Sequence, residues 1–112
     1  MFHNFLDKRV YIQGVVDPKT GKEYLVHIES YIAPNGPLAG FICNEVYITV
    51  PDPSCDVLVG IGKKAFADDE FDSPEDMLAE LGTLVEKMLP SGFERFEAIM
   101  ENGLSGNEHI IG

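Results

Sequence analysis

Three histidines, two cysteines and nineteen acidic side chains are the groups in this 112-residue chain that could do chemistry, and their spacing decides how much is available. His27 and Glu29 stand two apart in a run of strand-forming residues, where i and i+2 project to one side, so they could work as an acid/base pair. A histidine so placed more often packs across a strand pair. His3, His27 and His109 share no spacing with Cys43 and Cys55 that would build a zinc site. The cysteines do not form a C-x-x-C pair and are too few for a disulfide scaffold. They read as free buried thiols, with no cluster of positive charge nearby to activate a nucleophile. Asp68, Asp69, Glu70 and Asp72 could offer carboxylate oxygens to a hard cation, but a calcium loop needs ligands at alternate positions around a glycine and a Glu at the twelfth. Neither condition is met. V-G-I-G-K-K, Val59 to Lys64, lacks the four residues between glycines and the Lys-Ser or Lys-Thr of a phosphate-binding loop. No G-x-S-x-G or H-E-x-x-H arrangement is present. The expectation is a protein that is not an enzyme, with no cofactor and no metal.

The strongest signal is charge. From Ala65 to Glu86 the chain carries eight acids and no Lys or Arg, most of its net charge of −11. Residues 1 to 62 hold seven acids and four bases, residues 63 to 112 twelve acids and four bases. This argues against direct binding to DNA, RNA or anionic lipid, where affinity comes from neutralising phosphate with Lys and Arg. It suits a basic protein surface, a nucleic-acid-binding protein among the candidates, because clustered carboxylates imitate phosphates and accept paired hydrogen bonds from Arg. The partner-binding residues expected are Asp68, Asp69, Glu70, Asp72, Asp76 and Glu80, in a docking module of the inhibitor, immunity-protein, antitoxin or nucleic-acid-mimic type. An acidic surface also serves solubility alone.

The same stretch contains the best-specified helix. Ser73 is a natural N-cap, Pro74 occupies the first helical position and Asp76 follows three after the cap. Met77, Leu78, Leu81, Leu84, Val85, Met88 and Leu89 form one apolar stripe at the helical period. Pro90 should end this helix, and S-G-F-E should start another: Ser91 as N-cap, Glu94 three on, and Phe93, Phe96, Ile99 and Met100 as its apolar face. Gly103 is the expected C-cap, with Leu104 closing on the last turn.

Ahead of the helices, four strands are expected. Phe2, Phe5 and Leu6 suggest a short N-terminal turn of helix, and Arg9 to Val16 then alternates as a strand. D-P-K-T-G-K, Asp17 to Lys22, reads as a type I turn with a bulge at Gly21. Glu23 to Ala33 returns with Tyr24, Val26, Ile28, Ser30 and Ile32 toward the core. P-N-G-P breaks the chain, and Leu38 to Val50 is a third strand whose apolar side Asn44 interrupts, with Gly40 a candidate bulge. P-D-P-S turns it again before a fourth strand, Cys55 to Ile61.

Strands followed by helices imply an α+β domain: an antiparallel four-stranded meander with two C-terminal helices on one sheet face, ββββαα. Residues 1–104 are expected to form one domain, with 105–112 as a tail whose Ile110 and Ile111 could add a little strand. No run of about 18 apolar residues suggests a membrane span, and the start has the wrong charge order for a secretory signal, so the expected location is cytoplasmic. Tyr11, Leu25, Tyr31, Phe41 and Tyr47 are expected on the sheet face away from the helices. That face is too apolar for plain surface, so either the chain's ends cover it or another molecule binds there. Tyr11, Tyr31, Phe41 and Tyr47 thus mark a second candidate surface, for a small ligand with His27, Glu29 or Glu45, or for a second copy as a homodimer.

Overall fold

The structure, a computed structural model, describes residues 8–102 and the backbone of 108–110. Five strands, β1 (Arg9–Val16), β2 (Glu23–Ile32), β3 (Ile42–Thr49), β4 (Val57–Phe66) and β5 (Glu108–Ile110), lie side by side in that order, every neighbouring pair antiparallel. One helix, α1 (Pro74–Asn102), lies across β3 and β4. The class is α+β, as expected.

The first hairpin forms for the reasons its sequence gives. Asp17 accepts from the Lys19 N–H (3.0 Å) and the Thr20 hydroxyl (3.3 Å), the Asp17 N–H donates to the Lys22 carbonyl (2.9 Å), and Gly21 takes φ 74°. The β2–β3 connection corrects the sequence reading. Residues 38 to 40 are not strand: the Gly40 N–H closes on the Ala33 carbonyl and the Phe41 N–H on that of Leu38, and Gly40, at φ 84°, serves this turn instead of a bulge. The bulge falls in β4. Val46 pairs with Gly62 but Tyr47 with Gly60, so Ile61 is the extra residue. Beyond it β4 runs through both lysines to Phe66, five residues past the expected end.

The main correction concerns the helices: there is one, not two. Pro90 sits inside α1, where it lacks an N–H and crowds the preceding turn. The apolar stripe explains why the helix continues. Met77, Leu81, Val85, Leu89, Phe93 and Phe96 keep the helical period across the proline, so both halves bury the same side against one sheet. The first half packs on Val26, Ile42, Val46 and Phe66, the second on Tyr24, Ile48, Val57 and Val59. Burying several large side chains, at about 1.5–3 kcal/mol each, outweighs a proline penalty of about 3 kcal/mol. Ser91, expected to cap a second helix, instead donates its hydroxyl to the Met88 carbonyl (3.3 Å). At the true start the Asp76 N–H donates to Ser73 Oγ (3.2 Å), as the capping reading requires.

Two features let the layers meet. A Cβ at Gly62 would stand 2.5 Å from Met88 Sδ, so the absent side chain admits α1. Asn44 is satisfied in the core: it accepts from Ser30 Oγ (2.5 Å) and donates to the Lys64 carbonyl (3.2 Å).

The register also corrects one face. Tyr11 pairs with Ile28 and so lies on the helix side of the sheet, while Val10, Ile12, Gly14 and Val16 share the far face with Leu25, His27, Glu29 and Tyr31. Because α1 covers β3 and β4, the β1 side of the helix face remains an open groove of about 670 Å³ lined by Tyr11, Gln13, Val15, Ile28, Leu78 and Gly82. Glu108–Ile110, expected in the tail, form β5 instead. Phe2, His3, Phe5, Leu6, Gly103 and Leu104 lie outside the described residues.

Candidate functional site

Two surfaces on opposite sides of the sheet hold the candidate residues. The first is the acidic layer. The turn after β4 places Asp69, Glu70 and Asp72 in solvent and Asp68 half-buried, with Asp68 Oδ1 buried and without a hydrogen-bond partner among the described residues. The turn is tied by its own backbone: the Glu70 N–H donates to the Ala67 carbonyl (3.1 Å), and Glu70 Oε1 accepts from the Ala67 N–H (3.2 Å). Phe71 anchors it, edge-on to Phe66 at 5.0 Å. Asp76 and Glu80 follow on the exposed side of α1. The six predicted residues thus share one end of one layer. Because α1 is continuous, Glu86, Glu94, Glu97 and Glu101 extend the acidic side along it, and residues 67–102 carry eleven acids against Lys87 and Arg95.

At the far end of that layer the charges are partly neutralised. Lys22 donates to Glu97 (2.6 Å) and the Tyr24 hydroxyl donates to the same oxygen (2.6 Å), while Lys19 stands 3.9 Å from Glu94. Lys22, then Tyr24, holds the Glu97 carboxyl below its ordinary range. The unneutralised charge is therefore greatest at the turn and the first half of the helix.

The second surface is the far face of the sheet. Glu29 and Glu45 are direct partners across β2 and β3, a placement of like charges that costs stability unless compensated. Compensation comes from four side chains. Lys8 Nζ donates to Glu29 Oε1 (2.9 Å), and its ammonium is held above its ordinary pKa by that bond. Lys63 sits opposite Glu45 in the β3–β4 register. The hydroxyls of Tyr31 (2.7 Å) and Tyr47 (2.5 Å) donate to the two Glu45 oxygens. Glu45, as acceptor, and burial push the Tyr31 phenol up to about 12, and burial followed by Glu45 raises that of Tyr47. His27 Nε2 lies 3.2 Å from Glu29 Oε2 but out of line for a hydrogen bond, and that buried nitrogen has no hydrogen-bond partner among the described residues; its ring meets Tyr47 edge-on at 6.1 Å.

The pairing of His27 with Glu29 on one strand face is thus present, but it belongs to a wider carboxylate–phenol network. Tyr31 and Tyr47 are in it, Phe41 stands exposed before β3, and Tyr11 is on the other side of the sheet. Glu45 is among the side chains expected on this face with His27 and Glu29, but its place as the hub is not legible in the sequence. Its sequence neighbours give no hint, because only the β2–β3 register sets it against Glu29 and between two phenols. Cys43 and Cys55 are free thiols, and burial raises the pKa of Cys43, away from that of a nucleophile. Among the described residues no three of His, Cys, Asp and Glu are grouped to hold a metal ion, and no helix is long and apolar enough to cross a membrane. Compared with known protein families, curated proteins and solved structures, the chain matches none of them.

Proposed function

We propose that the protein is a docking module that sets its acidic turn and α1 against a basic site on another protein, as an inhibitor, immunity protein, antitoxin or nucleic-acid mimic does. The supporting observation is the fusion of the expected helices into one. Twenty-nine residues of continuous helix span about 43 Å, and the acidic turn leads straight into that rod. Carboxylates on such a frame keep fixed separations, so they can meet a row of Arg and Lys without first ordering a flexible chain. The partner is a basic protein, a nucleic-acid-binding one being the best fit, and the contact residues are Asp68, Asp69, Glu70, Asp72, Asp76 and Glu80.

The test compares wild type with Asp68→Lys/Asp69→Lys/Glu80→Lys in capture from the source lysate at low and high salt. A basic protein retained by wild type, lost with the triple reversal and released by salt is the expected result. Equal retention by both proteins rules out the acidic turn as the docking site. Thermal melts of both proteins accompany the capture: Asp69 and Glu80 are exposed, where a charge contributes about 0–1 kcal/mol, whereas Asp68 is half-buried and its reversal is checked for folding.

A further inference from the structure

The outer side of β1 breaks the rules by which sheets protect their edges. Eight residues long, it carries no proline and no bulge, and among the described residues no strand pairs with its outer side. Its far-face side chains are apolar and open: Val10 is 48%, Ile12 60% and Val16 56% exposed. The hairpin settles which backbone groups point outward. Because the Asp17 N–H bonds the Lys22 carbonyl, the odd-numbered residues of β1 turn their N–H and C=O toward β2, and Val10, Ile12, Gly14 and Val16 turn theirs to solvent.

We infer that a second copy of this chain pairs with that edge, β1 antiparallel to β1 about a two-fold axis at Gln13, to make a continuous ten-stranded sheet. The register follows from the outward groups. Centred on Gln13, Val10 faces the second copy's Val16 and Ile12 faces its Gly14, so all four outward residues of each chain find a hydrogen-bonded partner. Any other centre leaves at least one unpaired. The same register keeps the far face continuous and lays Ile12 over a glycine, where there is room for it.

Charge favours this occupant at this place. Residues 8–22 hold four bases and one acid, and Lys8, Lys19 and Lys22 are paired with Glu29, Glu94 and Glu97, so this end of the sheet is close to neutral in a chain of net charge −11 and two copies meet here with little repulsion. In the paired sheet the two acidic helices, each over its own β3 and β4, stand six strand spacings apart, about 29 Å, several Debye lengths at physiological ionic strength. Pairing also joins the two open grooves beside α1 into one cleft floored by Tyr11, Gln13 and Val15 of both copies.

Sedimentation equilibrium across a concentration series, with single-cysteine cross-linking, tests this. Wild type should shift from monomer to dimer mass and keep the dimer as salt rises, whereas binding through the acidic turn weakens with salt. Val10→Lys/Ile12→Lys, both exposed in the monomer, should remain monomeric at concentrations where wild type is mainly dimeric, with an unchanged circular dichroism spectrum. In a Cys43→Ser/Cys55→Ser background, Gln13→Cys should cross-link on mild oxidation. Its two copies form a non-hydrogen-bonded pair with Cα atoms about 4.5 Å apart, within disulfide range. Val15→Cys should not, because its copies stand about 14 Å apart along the strands. A monomer mass at every concentration, a dimer that survives the two lysines, or cross-linking by Val15→Cys in place of Gln13→Cys overturns the inference. None of these outcomes bears on the acidic docking surface, which lies on another layer.

Discussion

Replacing Pro90 with Ala should stabilise the protein. Inside a helix proline is about 3 kcal/mol worse than alanine, through the missing N–H, which cannot donate to the carbonyl four residues back, and through ring contact with the preceding turn. Against this, Pro90 lines a shallow apolar recess with Val16, Leu89 and Phe93, and loss of its partly exposed methylenes costs about 1 kcal/mol. The net is about 2 kcal/mol. With an unfolding entropy of about 2.1 cal/mol/K per residue, that corresponds to a rise in melting temperature of roughly 8 °C for a chain of this length. Thermal melts followed by far-UV circular dichroism, with urea titrations to confirm an unchanged m-value, measure it. If Pro90→Ala left the melting temperature unchanged or lowered it, the single-helix reading would be refuted, since a proline at the boundary between two helices carries no interior penalty to relieve.

Asn44→Ala should cost about 1–3 kcal/mol in urea unfolding, because it strands the buried Ser30 hydroxyl and removes a donor from the part-buried Lys64 carbonyl. The pair Ser30→Ala/Asn44→Ala should be less destabilised than the sum of the single changes, so the double-mutant destabilisation minus that sum is negative. At alkaline pH the Tyr31 phenol, raised to about 12 by Glu45 and burial, keeps its proton in the folded state after the unfolded chain has lost it near 10. Its contribution is therefore complete below pH 10 and lost as pH rises through about 12, so stability across that window should fall less steeply in Tyr31→Phe than in wild type.

Local chemistry was legible in the sequence where it decides structure alone. The Asp17–Lys22 hairpin, the Ser73 cap and the strands β1 and β2 follow from residues within a few positions of each other. Pro90 reads as a helix end because its local cost is real while the compensating burial lies in β2, β3 and β4, distant in sequence. The placement of Tyr11 failed for a related reason: alternation within β1 says which residues share a face, not which face meets the helix, and Val10, Ile12 and Val16 are as apolar as any core set. Among the candidate site residues, the acidic run was visible at once as composition. The Glu29–Glu45–Tyr31–Tyr47 network was not, since it exists only once β2 and β3 are in register.

The order of strands in the sheet has a consequence for how the chain assembles. From β1 to β4 each strand pairs with its neighbour in sequence, so three hairpins can zip in succession with little loop-closure entropy to overcome. β5 differs. Val57 meets Ile110 only after more than fifty intervening residues, including the whole of α1, have been laid down, and it adds just three residues of ladder. The sheet therefore has a deep end and a shallow one: β2 and β3 open only with global unfolding, while β5 can detach and reattach many times in the life of a folded molecule, exposing the outer edge of β4 along Val57–Val59 each time.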